Sequence, residues 1–139
     1  MRVSLFTDYS LRVLMFAATK GTPFQLDEVA EVHRISRHHV AKVVHRLSKL
    51  GYIETRRGRG GGILLSQEPE TIRLGKLVRD TEDPVLVECF DADTNTCRLD
   101  GCCKLKGALA RAMNAFYASL DQYTLADVTS GKNAEAMLR

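Results

Sequence analysis

One segment, SRHHVAKVVHRLSKLG from Ser36 to Gly51, constrains the fold more than any other part of this chain. Its apolar residues recur at helical spacing, at Val40, Val43, Val44, Leu47 and Leu50. The residues almost opposite that stripe on a helical wheel are His38, Lys42, His45 and Lys49, with Arg46 to one side. Ser36 is a good N-cap, because its hydroxyl can accept a hydrogen bond from the first turn. The segment therefore predicts a helix over Arg37–Leu50 that packs through one face and leaves a basic face in solvent.

The residues before this helix predict two more helices. From Thr7 to Thr19 apolar side chains recur at three- and four-residue intervals, and the pattern stops at the breaker Gly21-Thr22-Pro23. A short second helix is predicted within QLDEVAEV, and the turn HRI separates it from Ser36. Two helices joined by a short turn are typical of a helix-turn-helix unit.

The residues after it predict a β-hairpin. Gly51 ends the helix, and the predicted strands, Tyr52–Thr55 and Ile63–Ser66, flank the basic loop RRGRGGG. Glycines allow such a loop to lie close to a phosphate backbone, although a plain flexible hairpin is the alternative. A helix followed by a hairpin is the order of a wing, so residues 1–68 predict a winged helix-turn-helix domain.

Positive charge is concentrated in the same region. Between Val32 and Gly60 there are eight basic residues and one acid, Glu54, which gives +7; because the whole chain carries +3, the remainder carries −4. All four histidines also fall in this window. A solvated helix face is the alternative, but such a face normally carries some acids, and none occurs between Glu31 and Glu54. The pattern predicts a polyanion as partner.

A basic helix face suits the major groove of double-stranded DNA, and arginines on a glycine-rich loop suit phosphates and the minor groove. The candidate DNA contacts are Ser36, Arg37, His38, His39, Lys42, His45, Arg46, Lys49, Arg56, Arg57 and Arg59. The loop glycines do not form a nucleotide motif, because Ile63 stands where a dinucleotide fingerprint needs glycine and no Gly-Lys-Ser/Thr follows. With no recognisable substrate motif, the chain is not expected to be an enzyme.

The second half predicts helices around a cysteine loop. TIRLGKLVRDTE predicts a helix capped by Thr71, and Pro84 opens the loop. A long helix is predicted from about Cys103, with an apolar stripe at Leu105, Leu109, Ala112, Phe116, Leu120 and Tyr123. A monomer of this size would struggle to cover that stripe, so we expect a homodimer, with burial inside one chain as the alternative. The fold class is therefore mostly α with a small β-hairpin: a winged helix-turn-helix (1–68), a loop with a dimerisation helix (69–129) and a mobile polar tail (130–139).

All four cysteines lie within fifteen residues, in CFDADTNTCRLDGCC. The N-terminus resembles neither a signal peptide nor a membrane span, because charges interrupt its apolar runs. We therefore expect a cytoplasmic protein without a membrane partner, in a compartment where disulfides are rare. A disulfide is the weakest of the three interpretations of this loop.

The other two interpretations are zinc and an iron-sulfur cluster. The spacing Cys89-x7-Cys97-x4-Cys102-Cys103 contains no C-x2-C pair, the usual mark of structural zinc. A calcium loop fails as well, since Thr96 stands in place of the turn glycine. Adjacent cysteines are expected to point in different directions, which leaves three ligands and one spare cysteine. Thiolates at irregular spacing favour an iron-sulfur cluster, with a fourth ligand from elsewhere.

Five segments, FTDYSLRVLMFAA, SRHHVAKVVHRLSKLGYI, RRGRGGGI, CRLDGCCKLKGAL and QYTLADV, together resemble the winged-helix iron-sulfur transcriptional repressors of the IscR, RirA and NsrR type. The resemblance spans about Leu5 to Val128 and is closest to the nitric-oxide-sensing subgroup, through FTDY and YTLAD. It implies a dimeric DNA-binding repressor with a 4Fe-4S cluster, preferred over 2Fe-2S, that senses nitric oxide and releases DNA when nitrosylated. A repressor of the same fold that senses iron or iron-sulfur status is the alternative, and a zinc-clasped winged-helix protein is a weaker one.

The resemblance also implies a ligand set. The matching cysteines are Cys89, Cys97 and Cys103, which leaves Cys102 spare. Asp8, in FTDY, matches an aspartate that completes the site of the partner subunit in the nitric-oxide-sensing members. An acid in the first turn of a helix is also favourable without any metal, which is the alternative for Asp8. No histidine occurs after His45, so a histidine ligand from the cluster half is not expected.

Overall fold

Seven α-helices and one β-hairpin make up the structure, a computed structural model that describes residues 1–139. In chain order the elements are α1 (Leu5–Lys20), α2 (Leu26–His33), α3 (Arg37–Lys49), β1 (Ile53–Arg56), β2 (Gly62–Leu65), α4 (Leu74–Thr81), α5 (Lys104–Leu120), α6 (Leu125–Val128) and α7 (Lys132–Met137). The predicted class, mostly α with a small hairpin, is confirmed.

Local chemistry defines the first three helices. The Ser4 hydroxyl caps α1 by accepting from the Thr7 backbone amide at 3.2 Å, and Gly21 ends α1 in the left-handed conformation with φ of 65°. The Ser36 hydroxyl caps α3 in the same way, at 3.2 Å from the His39 amide nitrogen. Helix α3 ends at Lys49, one residue before the predicted end.

The apolar face of α3 is the centre of the core. Val40, Val43, Val44 and Leu47 are buried as predicted, while Leu50 is half-buried. They pack in one cluster with apolar side chains of α1, α2, the hairpin and the C-terminal segments. Burial of this stripe orients α3, because the opposite, basic face must then point to solvent.

Each strand of the hairpin lies one residue from its predicted position. The strands pair antiparallel, with Ile53 opposite Leu65 and Arg56 opposite Gly62. Tyr52 is not part of the sheet, because its backbone amide donates to the Leu47 carbonyl at 3.0 Å and closes the end of α3. Phe24, ahead of α2, forms an isolated antiparallel bridge with Ile63, which fixes the hairpin to the helices.

Helix α4 begins later than predicted, and Thr71 does not cap it. The Thr71 hydroxyl donates to the Glu68 carbonyl at 2.8 Å within a short 3-10 turn, Pro69–Thr71, and α4 begins at Leu74 without a side-chain cap. The reason is a contact with a segment that is distant in the sequence. The intervening Ile72 is buried in extended conformation, and its carbonyl accepts from the Leu125 amide at 2.9 Å.

The predicted C-terminal helix is broken. Helix α5 ends at Leu120, and α6 starts at Leu125 with Thr124 as N-cap. Tyr123, expected on the helical stripe, lies in the break, where its carbonyl accepts from the Leu74 amide at 3.0 Å. Pairing with the start of α4 therefore replaces about one turn of helix, residues 121–124.

The last ten residues differ from the predicted mobile tail. Residues Lys132–Met137 form helix α7, and the Met137 side chain is 9% exposed and belongs to the core cluster. Met137 packs against the helix-turn-helix half, whereas its neighbour Leu138 is exposed. None of the helices is both long and apolar enough to cross a membrane.

Candidate nucleic-acid interface and cysteine loop

The basic face of α3 is fully in solvent. The exposed side chains on it are Arg37, His38, His39, Lys42, His45, Arg46 and Lys49. The structure therefore brings the predicted helix contacts together on one surface. Ser36, at the start of this face, accepts the helix-cap bond through its hydroxyl oxygen, and its O–H group remains available to donate to a phosphate.

Two of the predicted contacts have partners within the chain. Arg37 Nε lies 2.8 Å from Asp27 Oδ1 on α2, with both side chains exposed. Arg56 Nη2 lies 2.8 Å from Glu54 Oε1 along the same strand. Such exposed pairs are weak, about 0.2–1 kcal/mol, so a phosphate can displace either carboxylate.

The other two wing arginines, Arg57 and Arg59, are exposed and form no ion pair in the structure. They lie on the loop between the strands, where Gly58 has φ of 92° and Gly60 has φ of 75°. A side chain would strain the backbone there. Glycine thus forms the tight loop, and the two arginines project from it as the least restrained positive charges of the wing.

A cleft of about 520 Å³ separates α3 from the wing, and His45, Ser48 and Arg56 are among its lining residues. The helix and the wing are therefore two edges of one basic, concave surface. Elements arranged in this way can contact a groove and the adjacent phosphate backbone at the same time.

All four cysteines are free thiols in the loop between α4 and α5. Cys89 lies in the short 3-10 turn Glu88–Phe90, and Cys97 is exposed in an irregular part of the loop. The Glu88 carboxylate accepts from the Thr96 hydroxyl at 2.7 Å, which holds the two ends of this part of the loop together. Hydrogen bonds rather than an apolar core thus shape the loop.

Cys103 is the N-cap of α5, and its Sγ accepts from the Lys106 backbone amide at 3.4 Å. Cys89, Cys102 and Cys103 line a cleft of about 920 Å³, whereas Cys97 is not among the lining residues. Within one chain, no three His, Cys, Asp or Glu side chains converge as a metal site. The adjacent sulfurs have different partners, since Cys102 Sγ lies 3.4 Å from the Leu99 carbonyl.

Lys106 also lines this cleft, which was not predicted from the sequence. Its Nζ donates to Asp100 Oδ1 at 2.7 Å, and this bond, with the nearby negative charges of Asp100, Cys89 and Cys103, raises the pKa of Lys106. Lys106 thus places a positive charge in the cleft that Cys89 and Cys103 line. The available signal was its spacing, because Lys106 lies three residues after Cys103 and so on the same side of α5.

Asp8 is not a free carboxylate in this chain. It lies in the first turn of α1, and Arg12, one turn later, binds both of its oxygens: Nε to Oδ1 at 3.1 Å and Nη2 to Oδ2 at 2.8 Å. The side chains remain 38% and 42% exposed, so the pair faces solvent. A metal ion that binds Asp8 must therefore displace the Arg12 guanidinium from the carboxylate.

The comparisons with known proteins agree with this architecture. Residues 3–131 match the Rrf2 family, described as iron-dependent transcriptional regulators. The chain is 48% identical over 135 residues to the HTH-type transcriptional regulator NsrR of Bacillus subtilis (strain 168), covering 95% of this chain and 92% of that one.

Solved structures give the same result. CymR, the global cysteine regulator of B. subtilis, superposes with a TM-score of 0.74 at 26% identity, covering 93% of this chain and 96% of that one. IscR of T. potens superposes with a TM-score of 0.71 at 25% identity, covering 91% and 85%. The resemblance seen in the sequence is confirmed, and the relatives are transcriptional regulators rather than enzymes. This chain belongs to the Rrf2 family of DNA-binding transcriptional regulators.

Proposed function

We propose that this chain is a homodimeric repressor whose cysteine loop holds an iron-sulfur cluster, of the 4Fe-4S type, and which releases DNA on exposure to nitric oxide. The observation that carries the proposal is the concentration of four free thiols in one loop, directly ahead of α5, in a chain whose other half presents a basic helix and wing. The resemblance to the nitric-oxide-sensing subgroup and the relative named NsrR support the choice of signal.

The donor chemistry fits such a cluster. Cys89, Cys97 and Cys103 would hold it, with Asp8 of the partner subunit as fourth ligand, and Lys106 would balance the negative charge of the thiolates. Soft thiolates in an exposed, polar loop are the ligands iron-sulfur clusters use. When bound, the cluster supplies iron that reacts with nitric oxide.

A homodimer is proposed because α5 leaves apolar side chains uncovered in the single chain. Leu105 is 65% exposed, Tyr123 51% exposed, and Val85 and Leu86, on the loop before α5, are also exposed. Exposed apolar side chains of this kind, at both ends of α5 and on the loop before it, mark an interaction surface along the helix. In a twofold dimer the two recognition helices read half-sites whose spacing depends on how the subunits are held.

The chain also offers a route from the loop to the DNA-binding half. Arg79 on α4 binds Asp121, at the end of α5, through two hydrogen bonds of 2.8 and 2.7 Å. At the same end of α4, the C-cap residue Glu82 accepts through Oε2 from the Ser4 backbone amide at 2.9 Å, at the start of α1. A displacement of α5 is therefore passed to α1 through hydrogen bonds rather than through a flexible linker.

An anaerobic nitric oxide titration of the purified protein tests the proposal, with iron, sulfide and zinc measured on the same sample. We expect a brown chromophore that is lost as nitric oxide is added, with a parallel loss of DNA binding. A chromophore that ignores nitric oxide but follows iron supply would favour the second candidate, an iron sensor, which the family description supports. A colourless zinc protein would contradict both.

The wing arginines should contribute unequally to DNA binding. Arg59→Ala removes an unpaired cation and is expected to weaken binding about fivefold to tenfold at about 0.1 M salt and to lower the salt slope by about one. Arg56→Ala should have the smaller effect, because Arg56 already shares its charge with Glu54. Fluorescence anisotropy with a DNA duplex over a salt series measures both. Lys132→Ala on α7 is the control, and equal effects of the two wing variants would contradict this ranking.

The fourth ligand can be tested through the ion pair of α1. If Asp8 of the partner subunit completes the site, Asp8→Ala should lose iron to a chelator at least about tenfold faster than the unchanged protein. Arg12→Ala removes the guanidinium that competes for the Asp8 carboxylate, and it should not speed the loss of iron. Iron release is followed by absorbance of the chelate. Release from Asp8→Ala at the unchanged rate would assign the fourth ligand elsewhere.

A further inference from the structure

Tyr52 stands at the junction of the recognition helix and the wing. Its amide donates to the Leu47 carbonyl in α3, and its carbonyl accepts from the Ser66 amide just after β2, both at 3.0 Å. The residue is only 3% exposed, yet its hydroxyl is not left unpaired, because it donates to Asp80 Oδ2 on α4 at 2.5 Å. A buried hydroxyl with a charged acceptor is a strong and directional contact.

The Asp80 carboxylate accepts a second hydrogen bond in addition to the one from Tyr52. Lys76 Nζ donates to the same oxygen at 2.6 Å. Burial acts to raise the pKa of the Asp80 carboxyl, but the hydrogen bonds from Lys76 and Tyr52, together with the charges of Lys76 and Arg46, lower it overall. The Tyr52 hydroxyl therefore donates to a charged carboxylate.

Helix α4 is itself rigidly placed, so Asp80 is a fixed point. Gly75 packs directly on α5, where a Cβ would come within 2.6 Å of the Tyr117 carbonyl. The Arg79 guanidinium lies 4.7 Å from the centre of the Tyr117 ring and forms the paired bonds to Asp121. The side of α4 that carries Asp80 thus meets the DNA-binding half while other residues of α4 hold α5.

We propose that Asp80 is a positioning residue for DNA recognition: through the Tyr52 hydroxyl it fixes the base of the wing at its junction with the recognition helix. Asp80 does not touch DNA in this role. It sets the angle between two DNA-contacting elements, which decides whether base contacts and phosphate contacts form together. The inference requires only the DNA-binding activity of the family and is independent of the cluster proposal.

The negative charge of Asp80 allows a positioning role to be distinguished from a purely electrostatic effect on DNA affinity. Removing an acid from a DNA-binding protein reduces repulsion from phosphates and by itself tightens binding. Positioning predicts the opposite for the specific site, because Asp80→Asn weakens the bond that fixes the base of the wing. Specific and non-specific binding should therefore respond differently, which a purely electrostatic role does not predict.

The experiment uses the full-length protein as purified under anaerobic conditions, with every variant prepared identically, and two DNA probes: a duplex that the unchanged protein selects from a random-sequence library, and an unselected random duplex of the same length. The variants are Asp80→Asn, Tyr52→Phe and the double variant, with Glu135→Gln on α7 as a matched removal of an exposed acid. Circular dichroism sets a temperature at which every variant is folded. Anisotropy then gives the ratio of the two affinities.

We expect each single variant to lower the ratio of selected to random affinity about fivefold, and the double variant to lower it no further, because Tyr52→Phe removes and Asp80→Asn weakens the same charge-assisted contact. Glu135→Gln should leave the ratio unchanged. A variant that is merely less stable loses both affinities equally and keeps the ratio, which would overturn the proposal. If Asp80→Asn does not fold, the affinity ratio of Tyr52→Phe by itself tests the proposal, since this variant keeps the buried ring and removes only the hydroxyl. An unchanged or higher ratio in either folded variant refutes the proposal.

Discussion

Alanine at Cys89, Cys97 or Cys103 is expected to give protein that is purified anaerobically with almost no iron or acid-labile sulfide. Each change removes one of only three thiolate ligands that the proposed site draws from the loop, and a fourth oxygen ligand is too weak to compensate. Cys102→Ala is expected to keep both iron and sulfide and serves as the matched control. Iron and sulfide per chain, with the visible spectrum, are the measurements.

The structure makes the result for Cys102 and Cys97 informative. Cys102 borders the same cleft as Cys89 and Cys103, while Cys97 does not line it. If Cys97→Ala keeps the cluster and Cys102→Ala loses it, the ligand set is Cys89, Cys102 and Cys103. That result would contradict the assignment drawn from the family resemblance but leave the loop as the site.

Gly75→Ala is expected to have the largest effect on stability. The new Cβ would lie 2.6 Å from the Tyr117 carbonyl and would also collide with the Asp121 carboxylate. Asp121 can turn away only by breaking its bonds to Arg79, and the backbone carbonyl cannot move without separating α4 from α5. We expect a loss of about 2 kcal/mol in the free energy of unfolding. This corresponds to about 6 °C in Tm by differential scanning calorimetry.

Gly107→Ala provides the control within the same pair of helices. Gly107 is inside α5, and a Cβ there meets only the far end of the Arg111 side chain, at 3.4 Å. Alanine is favoured over glycine in a helix by about 0.5–1 kcal/mol, so this variant should be as stable as the unchanged protein or slightly more stable. A Gly75→Ala protein with unchanged Tm would show that α4 and α5 are not locked together.

Much of the fold could be predicted because it depends on local patterns. The spacing of apolar residues in α3, the Ser36 cap and the glycine loop of the wing each involve residues close in sequence, and the structure reproduces them within one residue. The predictions failed where distant segments pair. Thr71 does not cap α4, and the C-terminal helix breaks before Tyr123, because residues 72–74 pair with residues 123–125.

The candidate site likewise has features that the sequence predicted and contacts that only the structure shows. Residue type and spacing alone identified the basic face and the four cysteines. They did not reveal that Arg12 binds Asp8, or that Lys106 lies beside Cys89 and Cys103. Helical spacing of three or four residues contained both contacts, but nothing in a single sequence distinguishes them from the many surface pairs that carry no function.

By itself, then, the sequence determined the winged helix-turn-helix, the sign of the charge on its exposed face and the loop that carries the thiols. These follow from periodicity and composition, which act over a few residues. Only the tertiary structure decided that Tyr52 meets Asp80 across 28 residues and Arg79 meets Asp121 across 42. Such contacts depend on how the buried faces pack together, and burial is what brings residues far apart in the chain within hydrogen-bonding distance.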